Sequence, residues 1–214
     1  MTQIDSIIFD LDGTLVDSRE DIVNAVNYTL ISLGLEKKTF EKIVSYIGTG
    51  INDLLNKSIG LKNKDHFSKA LSVYQTYYKK HSADFTRPYP NVIDVLEYYK
   101  NKDLSIVTNR RVEMAEVTVK SLKLDKYFRA IVGDDGKGCL KPLTCSLDKV
   151  MDGYNTDKQK ILMVGDMDID VLAGKNMDVI TCAVTYGIGK REDLVKAKPD
   201  FMISDIVELK SLFS

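Results

Sequence analysis

Short apolar runs alternate with helical patterns from residue 91 to the C-terminal end of the sequence. The predicted strands cover 104–107, 130–132, 161–164, 179–183 and 201–203, and the predicted helices cover 91–100, 111–123, 143–152, 169–176 and 205–213. One earlier apolar run, Ile7-Ile8-Phe9, predicts another buried strand near the N-terminus. Since strands that alternate with helices form right-handed βαβ units, the sequence predicts an α/β fold with a doubly wound parallel sheet.

The segment between the first two predicted strands shows helical patterns and no strand pattern. Its predicted helices run from Asp17 or Ser18 to Leu33, then over 40–47, 51–59 and 65–82. A structureless loop of this length is uncommon in a compact domain. We therefore predict an all-helical cap domain of four or five helices at 17–84, inserted into a core domain formed by 1–16 and 85–214.

The charge balance argues against two classes of partner. The 214 residues include 30 basic and 31 acidic side chains, so nothing in the net charge of −1 favours nucleic acid or an anionic membrane. No apolar stretch approaches the roughly 20 residues that span a bilayer, and the N-terminus lacks a signal-peptide pattern. Cys139, Cys145 and Cys182 fit no metal-ligand spacing, and we expect reduced thiols in a cytoplasmic protein.

Two acids directly follow the first predicted strand, in the segment Asp10-Leu11-Asp12-Gly13-Thr14. Carboxylates two residues apart repel each other unless a cation or a chemical task holds them together. Glycine after the second acid allows a sharp turn away from the strand. The pattern suits a carboxylate nucleophile, a second carboxyl that moves protons, and a hard divalent metal. The alternative is an Asp-Gly turn with solvated acids.

Polar residues also follow three later strands. Thr108 and Asn109 are able to donate hydrogen bonds to phosphoryl oxygens, although both residue types also favour helix N-caps. Lys141 would neutralise a phosphate, although most isolated lysines are solvated. Three acids between Asp166 and Asp170 would repel one another without a cation, although one of them would serve as a helix cap. All these positions lie at carboxyl ends of predicted parallel strands, where ligands bind in such sheets.

Together these motifs resemble those of the haloacid dehalogenase superfamily of phosphohydrolases. The matching segments are Asp10-x-Asp12-Gly13-Thr14, Thr108, Lys141 and Gly165-Asp166-x-x-x-Asp170. The resemblance covers essentially the whole chain and is closest to the phosphoglycolate phosphatase group at Leu15-Val16-Asp17-Ser18, Tyr46-Ile47-Gly48-Thr49-Gly50-Ile51 and Gly133-Asp134-Asp135. It implies a helical cap and a strand order of 5-4-1-2-3, counting the predicted strands from 7–9 to 179–183.

The resemblance also implies a mechanism and a cofactor. Asp10 would attack phosphorus and become an aspartyl phosphate, while Asp12 would protonate the leaving alcohol and later deprotonate water. Mg²⁺ would be held by the Asp10 side chain, the Asp12 backbone carbonyl and Asp166, with Asp170 acting directly or through water. Thr108, Asn109 and Lys141 would bind the phosphate.

The expected partner is a small phosphorylated metabolite, and the protein is expected to be a monomer or weak homodimer. We predict that Gly48, Thr49 and Gly50 set substrate specificity, because the helix after them would present free N–H groups to a small anion such as the carboxylate of phosphoglycolate. The alternative is that these glycines only form a hinge. Arg110 and Arg111 would either assist an anionic substrate or form a solvated helix start.

Rival functions remain at this point. Inorganic pyrophosphatase and broad sugar-phosphate phosphatase activities fit the same motifs. A phosphomutase is disfavoured because the segment Gly48–Asn52 carries no basic residue, and a dehalogenase would not need Asp12. A phospho-receiver signalling domain would lack the helical insert.

Overall fold

The computed structural model describes residues 1–60, 65–152 and 157–214. Eight strands are described: β1 Ser6–Phe9, β2 Val16–Asp17, β3 Arg87–Pro88, β4 Asp103–Arg111, β5 Ala130–Asp134, β6 Ile161–Gly165, β7 Ile180–Val184 and β8 Phe201–Ile203. Ten α-helices are described: α1 Arg19–Ser32, α2 Phe40–Val44, α3 Ile51–Ile59, α4 Phe67–His81, α5 Val92–Tyr98, α6 Val112–Ser121, α7 Cys145–Met151, α8 Asp168–Asn176, α9 Arg191–Ala197 and α10 Leu209–Leu212.

Six strands form one parallel sheet in the order β5-β4-β1-β6-β7-β8. The predicted α/β fold is therefore confirmed. The predicted strand order, 5-4-1-2-3, differs from the observed order in one detail. It included five strands, whereas the sheet has a sixth, β8, at the edge beside β7. This short strand pairs Cys182 with Phe201 and Val184 with Ile203, which extends the sheet past the predicted end.

Alternate residues of β1 pack on opposite faces of the sheet, as the two-residue period of a strand requires. Ile7 and Phe9 belong to one buried cluster, and Ile8 belongs to another that includes Leu147 of α7. Both faces are covered, which explains why the strand sequences are almost continuously apolar.

Helices α1 to α4, here called the helical insert, have an apolar cluster of their own. Ile22, Leu55 and Tyr78 are among its members, and Met114 of α6 joins it from the core. The two connections to the sheet lie side by side, since β2 and β3 pair antiparallel through Val16↔Pro88 and Asp17↔Arg87. The division into a core of 1–16 and 85–214 and a cap of 17–84 remains a proposal, and residues 61–64 of that cap lie outside the described residues.

A buried carboxylate fastens the end of the insert to its beginning. Asp21 of α1 accepts hydrogen bonds from the backbone N–H groups of Phe85, at 3.1 Å, and Thr86, at 2.8 Å. The Thr86 hydroxyl donates to the same carboxylate at 2.6 Å. Hydrogen bonds to a charged group are among the stronger ones, so Asp21 fixes where the chain returns to the sheet.

The cysteine prediction was wrong for two of the three residues. Cys139 and Cys145 form a disulfide with their Cα atoms 6.0 Å apart, while Cys182 is free and buried. The chain turns back on itself between β5 and α7, which brings two positions six residues apart within bonding reach. In the part of the chain that the structure describes, no helix has the length and apolar character needed to cross a membrane.

Candidate active site

The carboxyl ends of β4, β1 and β6 are neighbours in the sheet, and the candidate site lies at this edge. Asp10 follows β1, Asp166 follows β6, and Thr108 belongs to β4. A pocket lies between this edge and the helical insert. Its lining from the core includes Asp10, Asp12, Thr108, Asn109 and Lys141.

Three buried carboxylates form the centre of the site. One ligand oxygen from each of Asp10, Asp166 and Asp170 lies within 4.8 Å of the others. Burial raises the pKa of Asp10 well above its usual value, and the charge of Asp170 raises it further, although Lys141 opposes both effects. Burial and the charge of Asp170 raise the pKa of Asp166 to about 7. A set of hard oxygen donors with this mutual repulsion fits a divalent metal ion.

Asp166 is held in place by donors from two loops. Its carboxylate accepts hydrogen bonds from the Thr14 hydroxyl at 3.0 Å, from Ile188 N–H at 2.6 Å and from Gly189 N–H at 3.1 Å. Gly13 has a φ of +89°, and a Cβ there would lie 2.2 Å from an Asp166 oxygen. The glycine is therefore needed both for the turn after Asp12 and for the close approach of the Asp166 carboxylate.

Lys141 places its ammonium group among these carboxylates. The Nζ atom donates to Asp10 at 2.6 Å and to the Val107 carbonyl at 2.7 Å, and it lies 2.8 Å from Asp170. Burial opposes the charge of this lysine, but Asp10 and Asp170 outweigh it and keep the pKa of Lys141 above its usual value. The side chain is only 1% exposed, so the charge is concentrated in the site and is not spread into solvent.

Asn109 connects the lysine loop to the insert. Its Oδ1 accepts from Lys141 N–H at 2.7 Å, and its Nδ2 donates to the carbonyls of Lys141, at 3.1 Å, and Gly48, at 2.9 Å. Both amide hydrogens are thus donated to backbone carbonyls. The predicted phosphate contact of Asn109 stays a prediction, and in this conformation the side chain positions Lys141.

β4 continues beyond the predicted end at Val107 because the ladder shifts register. Val107 pairs with Val132, and the next pair is Arg111 with Asp134, so Thr108 to Arg110 face Gly133 alone. A bulge of this kind bends a strand and aims its side chains away from the regular ladder. A Cβ on Gly133 would lie 2.6 Å from the Arg110 carbonyl oxygen, so the bulge requires glycine opposite it.

Asp12 lies apart from the three clustered carboxylates. Its carboxylate accepts from the Arg110 guanidinium through Nε, at 2.9 Å, and through Nη2, and also from the Ser18 hydroxyl. The same guanidinium lies over the Tyr78 ring of the insert, 4.9 Å from its centre. The Arg110 side chain is 7% exposed, so the alternative of a solvated helix start is wrong for this residue.

The role of Arg110 was missed because its partner, Asp12, lies 98 residues away in the sequence. The signal that was present is the occurrence of a basic residue directly after Thr108-Asn109 at a strand end.

The loop before α3 packs closely on the core. Gly48 and Gly50 have φ values of +118° and +92°, and a Cβ on Gly48 would lie 2.4 Å from the Met167 sulfur. Both glycines line the pocket, whereas the exposed Thr49 donates its hydroxyl to Asp53. The predicted role of these three residues in specificity remains a prediction.

Comparison with known proteins gives matches over nearly the full chain. A family model described as haloacid dehalogenase-like hydrolase matches residues 7–184. The phosphoglycolate phosphatase of Aquifex aeolicus is 35% identical over 208 residues, which cover 95% of each chain. A relative from Caldanaerobacter subterraneus with the provisional name pyrophosphatase PpaX is 30% identical and covers 97% of this chain and 93% of its own. A crystal structure described as a predicted phosphoglycolate phosphatase from Haemophilus somnus superposes with a TM-score of 0.92 at 26% identity, covering 99% of both chains.

Proposed function

The chain belongs to the haloacid dehalogenase-like hydrolase family, and on that premise we propose that it hydrolyses a small phosphomonoester through an aspartyl-phosphate intermediate on Asp10. The observation that carries the proposal is the convergence of Asp10, Asp166, Asp170 and Lys141 at one edge of the sheet, beside a pocket. A carboxylate nucleophile needs neighbouring positive charge to approach an anionic phosphate, and this arrangement supplies it.

We propose Mg²⁺ as the cofactor, held by the carboxylates of Asp10, Asp166 and Asp170 and by the backbone carbonyl of Asp12. The support is the hard oxygen donor set within 4.8 Å and the raised pKa values of Asp10 and Asp166, which reflect burial first and then the charges of neighbouring carboxylates. Mg²⁺ accepts oxygen ligands at near-octahedral geometry and, when bound, neutralises charge on the phosphoryl oxygens.

In the first chemical step, a carboxylate oxygen of Asp10 forms a bond to phosphorus as the bond from phosphorus to the leaving oxygen breaks. Asp12 gives a proton to that leaving oxygen. In the second step, Asp12 accepts a proton from water, the water oxygen bonds to phosphorus as the bond from phosphorus to the Asp10 oxygen breaks, and phosphate and the free Asp10 carboxylate result. Arg110 and Ser18 hold Asp12 beside the pocket through hydrogen bonds to its carboxylate.

Lys141 and Thr108 bind the transferring phosphoryl group in this proposal. Lys141 supports it through its buried positive charge next to Asp10, and the Thr108 hydroxyl is buried in the bulge at the pocket wall. Asn109 contributes by fixing the backbone of Lys141, because its side chain bonds both the N–H group and the carbonyl of that residue. This arrangement keeps the donors in position before the substrate arrives.

Phosphoglycolate is the substrate we propose first, since relatives that align over most of this chain carry that name. Pyrophosphate is the second candidate, because one relative of similar coverage has a pyrophosphatase name. Both are small dianionic or polyanionic phosphates, so the same site chemistry serves either.

The test is a steady-state assay of the purified protein against a panel of phosphomonoesters and pyrophosphate with Mg²⁺, ranked by kcat/KM. Asp10→Asn is expected to lower kcat by several powers of ten, as the loss of a covalent nucleophile does, and EDTA is expected to abolish turnover until Mg²⁺ is restored. Asp94→Asn, at an exposed position of α5, is the matched control and should retain wild-type rates. Full activity of Asp10→Asn or of the EDTA-treated protein would contradict the proposal.

A further inference from the structure

Three cationic side chains are among the described residues that line the pocket, and two of them pair with carboxylates of the site. Lys141 contacts Asp10 and Asp170, and Arg110 forms a bidentate salt bridge with Asp12. The third is Arg111, which lines the same pocket. The acidic residues of the described lining, Asp10 and Asp12, pair with Lys141 and Arg110, and the carboxylate nearest Arg111 belongs to Asp134, outside the lining.

The guanidinium of Arg111 has a buried N–H group without a hydrogen-bond acceptor. Its side chain is 20% exposed, and its Nε is a buried donor with no hydrogen-bond acceptor. Among the described residues, the carboxylate within 4.0 Å of this guanidinium is that of Asp134, at 3.5 Å, and Asp134 also accepts from Gly136 N–H at 2.8 Å. A buried donor without an acceptor is unfavourable, and a ligand acceptor would remove that cost.

The described residues of the helical insert bring no competing charge to the pocket. Those that line it are all uncharged: Ile22, Ile47, Gly48, Gly50, Ile51, Leu54, Tyr74 and Tyr78. Among the described residues, recognition of a charged group on the leaving part of the substrate therefore falls to the core side. The apolar walls strengthen such recognition, because charges interact more strongly where water is excluded.

Arg111 lies on the same strand as Thr108, close to the proposed phosphate position. Arg111 follows Thr108 by three residues on β4, so their Cα atoms are at most about 10 Å apart along an extended strand. Both residues line the pocket, so a substrate with its phosphate beside Thr108 and Asp10 would extend along the wall that carries Arg111. A guanidinium binds a carboxylate well because its planar donors match the two carboxylate oxygens.

We propose that Arg111 binds the carboxylate of the leaving group and is the residue by which this enzyme prefers phosphomonoesters of short hydroxy acids to those of neutral alcohols. The inference rests on the proposed phosphatase function and goes beyond it by assigning charge recognition to the core. The described residues of the insert then contribute the apolar walls of the pocket.

Two substrates of nearly equal size test the assignment. 2-Phosphoglycolate carries the carboxylate, and 2-hydroxyethyl phosphate replaces it with a neutral alcohol. Wild-type enzyme is expected to favour 2-phosphoglycolate in kcat/KM by at least about tenfold, the scale of one charge-assisted contact. Arg111→Met should lower kcat/KM for 2-phosphoglycolate by about 10- to 100-fold, mainly through KM, and change 2-hydroxyethyl phosphate by less than about threefold. Arg111→Lys should fall between the two, because it keeps the charge and loses the planar donors.

Lys137→Met is the matched control, since Lys137 is 85% exposed and lies outside the pocket lining. It removes a nearby positive charge and should leave both substrates unaffected. Equal losses on both substrates in the Arg111 variants would overturn the assignment, and so would a selective loss on pyrophosphate alone. Equal wild-type rates on the two esters would also overturn it without any variant, while leaving the phosphatase function intact. A wild-type enzyme that hydrolyses no phosphate ester would overturn the proposed function and this inference with it.

Discussion

Replacing Lys141 by methionine is expected to destabilise the metal-free protein by about 3 kcal/mol at neutral pH. Methionine keeps most of the apolar volume of the side chain and removes three contacts of the ammonium group, to Asp10, Asp170 and the Val107 carbonyl. Removing one partner of a buried ion pair costs about 3 to 5 kcal/mol. The lower end applies here because the pKa of Asp10 is already raised by burial, so protonation can replace part of the lost neutralisation.

The measurement is urea unfolding in EDTA at pH 7.5, with the free energy of unfolding compared between wild type and variant. Lys149→Met is the matched control, because Lys149 is 48% exposed and pairs with Asp135 at 3.0 Å. A surface pair of that kind contributes less than about 1 kcal/mol. A Lys141→Met variant within about 1 kcal/mol of wild type would refute the reasoning that this lysine neutralises the cluster.

Magnesium provides an independent arm of the same experiment. The variant keeps the carboxylates of Asp10, Asp166 and Asp170 but lacks the competing ammonium charge. At the same excess of Mg²⁺, the variant should therefore be stabilised more than wild type, by about 1 kcal/mol or more, since the stabilisation by a ligand rises with the logarithm of its affinity for the folded state. An equal gain in both proteins would show that lysine and metal do not share one electrostatic site.

Three further outcomes are expected. Asp12→Asn should lower kcat by about 10²- to 10⁴-fold in a steady-state assay, because proton transfer is lost while the nucleophile remains; an unchanged kcat would remove Asp12 from the mechanism. Reducing the disulfide between Cys139 and Cys145 should lower the free energy of unfolding by about 2 kcal/mol on chain-entropy grounds, measured by thermal unfolding with and without a phosphine reductant. The double serine variant should match the reduced protein and no longer respond to the reductant, and a response in that variant would contradict the assignment. The free energy of unfolding of the metal-free protein should also fall as the pH rises from about 4 to 7, by at most about 1.4 kcal/mol per pH unit for each group. The reason is the raised pKa of Asp166, about 7 against an ordinary 3.8. In this pH range the folded state holds a proton that the unfolded chain has released. Urea unfolding in EDTA at pH 5.5 and 7.5 measures this slope, and Asp166→Asn should reduce it.

The strand-end residues were predictable because they follow periodic signals. Each apolar run marks a strand, and parallel strands of a doubly wound sheet place their carboxyl ends on one edge. Asp10, Asp166 and Thr108 therefore converge once β4, β1 and β6 are neighbours, an order that came from the family resemblance and not from the pattern itself.

The missed features are single contacts between distant residues, which leave no periodic trace. Arg110 meets Asp12, and Asp21 meets Thr86, across separations of 98 and 65 residues. Helix α9, Arg191–Ala197, was also not predicted, because seven residues with one fully buried side chain, Leu194, show little amphipathic pattern. The disulfide between Cys139 and Cys145 was missed for a different reason. The expectation of a reducing compartment led to a prediction of free thiols, although the loop geometry allows the two residues to pair.

The short ladder between β2 and β3 would allow the helical insert to be replaced by another segment. Asp17 and Arg87 face each other as an antiparallel pair, so the Cα atoms at the start and the end of the inserted segment lie within about 5.5 Å of each other. Any segment whose two ends lie that close can be spliced between them without altering the register of the six-stranded sheet. Doubling or halving the length of the spliced segment changes the loop-closure free energy by only about 0.6 kcal/mol, so evolution or design is free to vary the covering of the pocket while the chemistry beneath it stays in place.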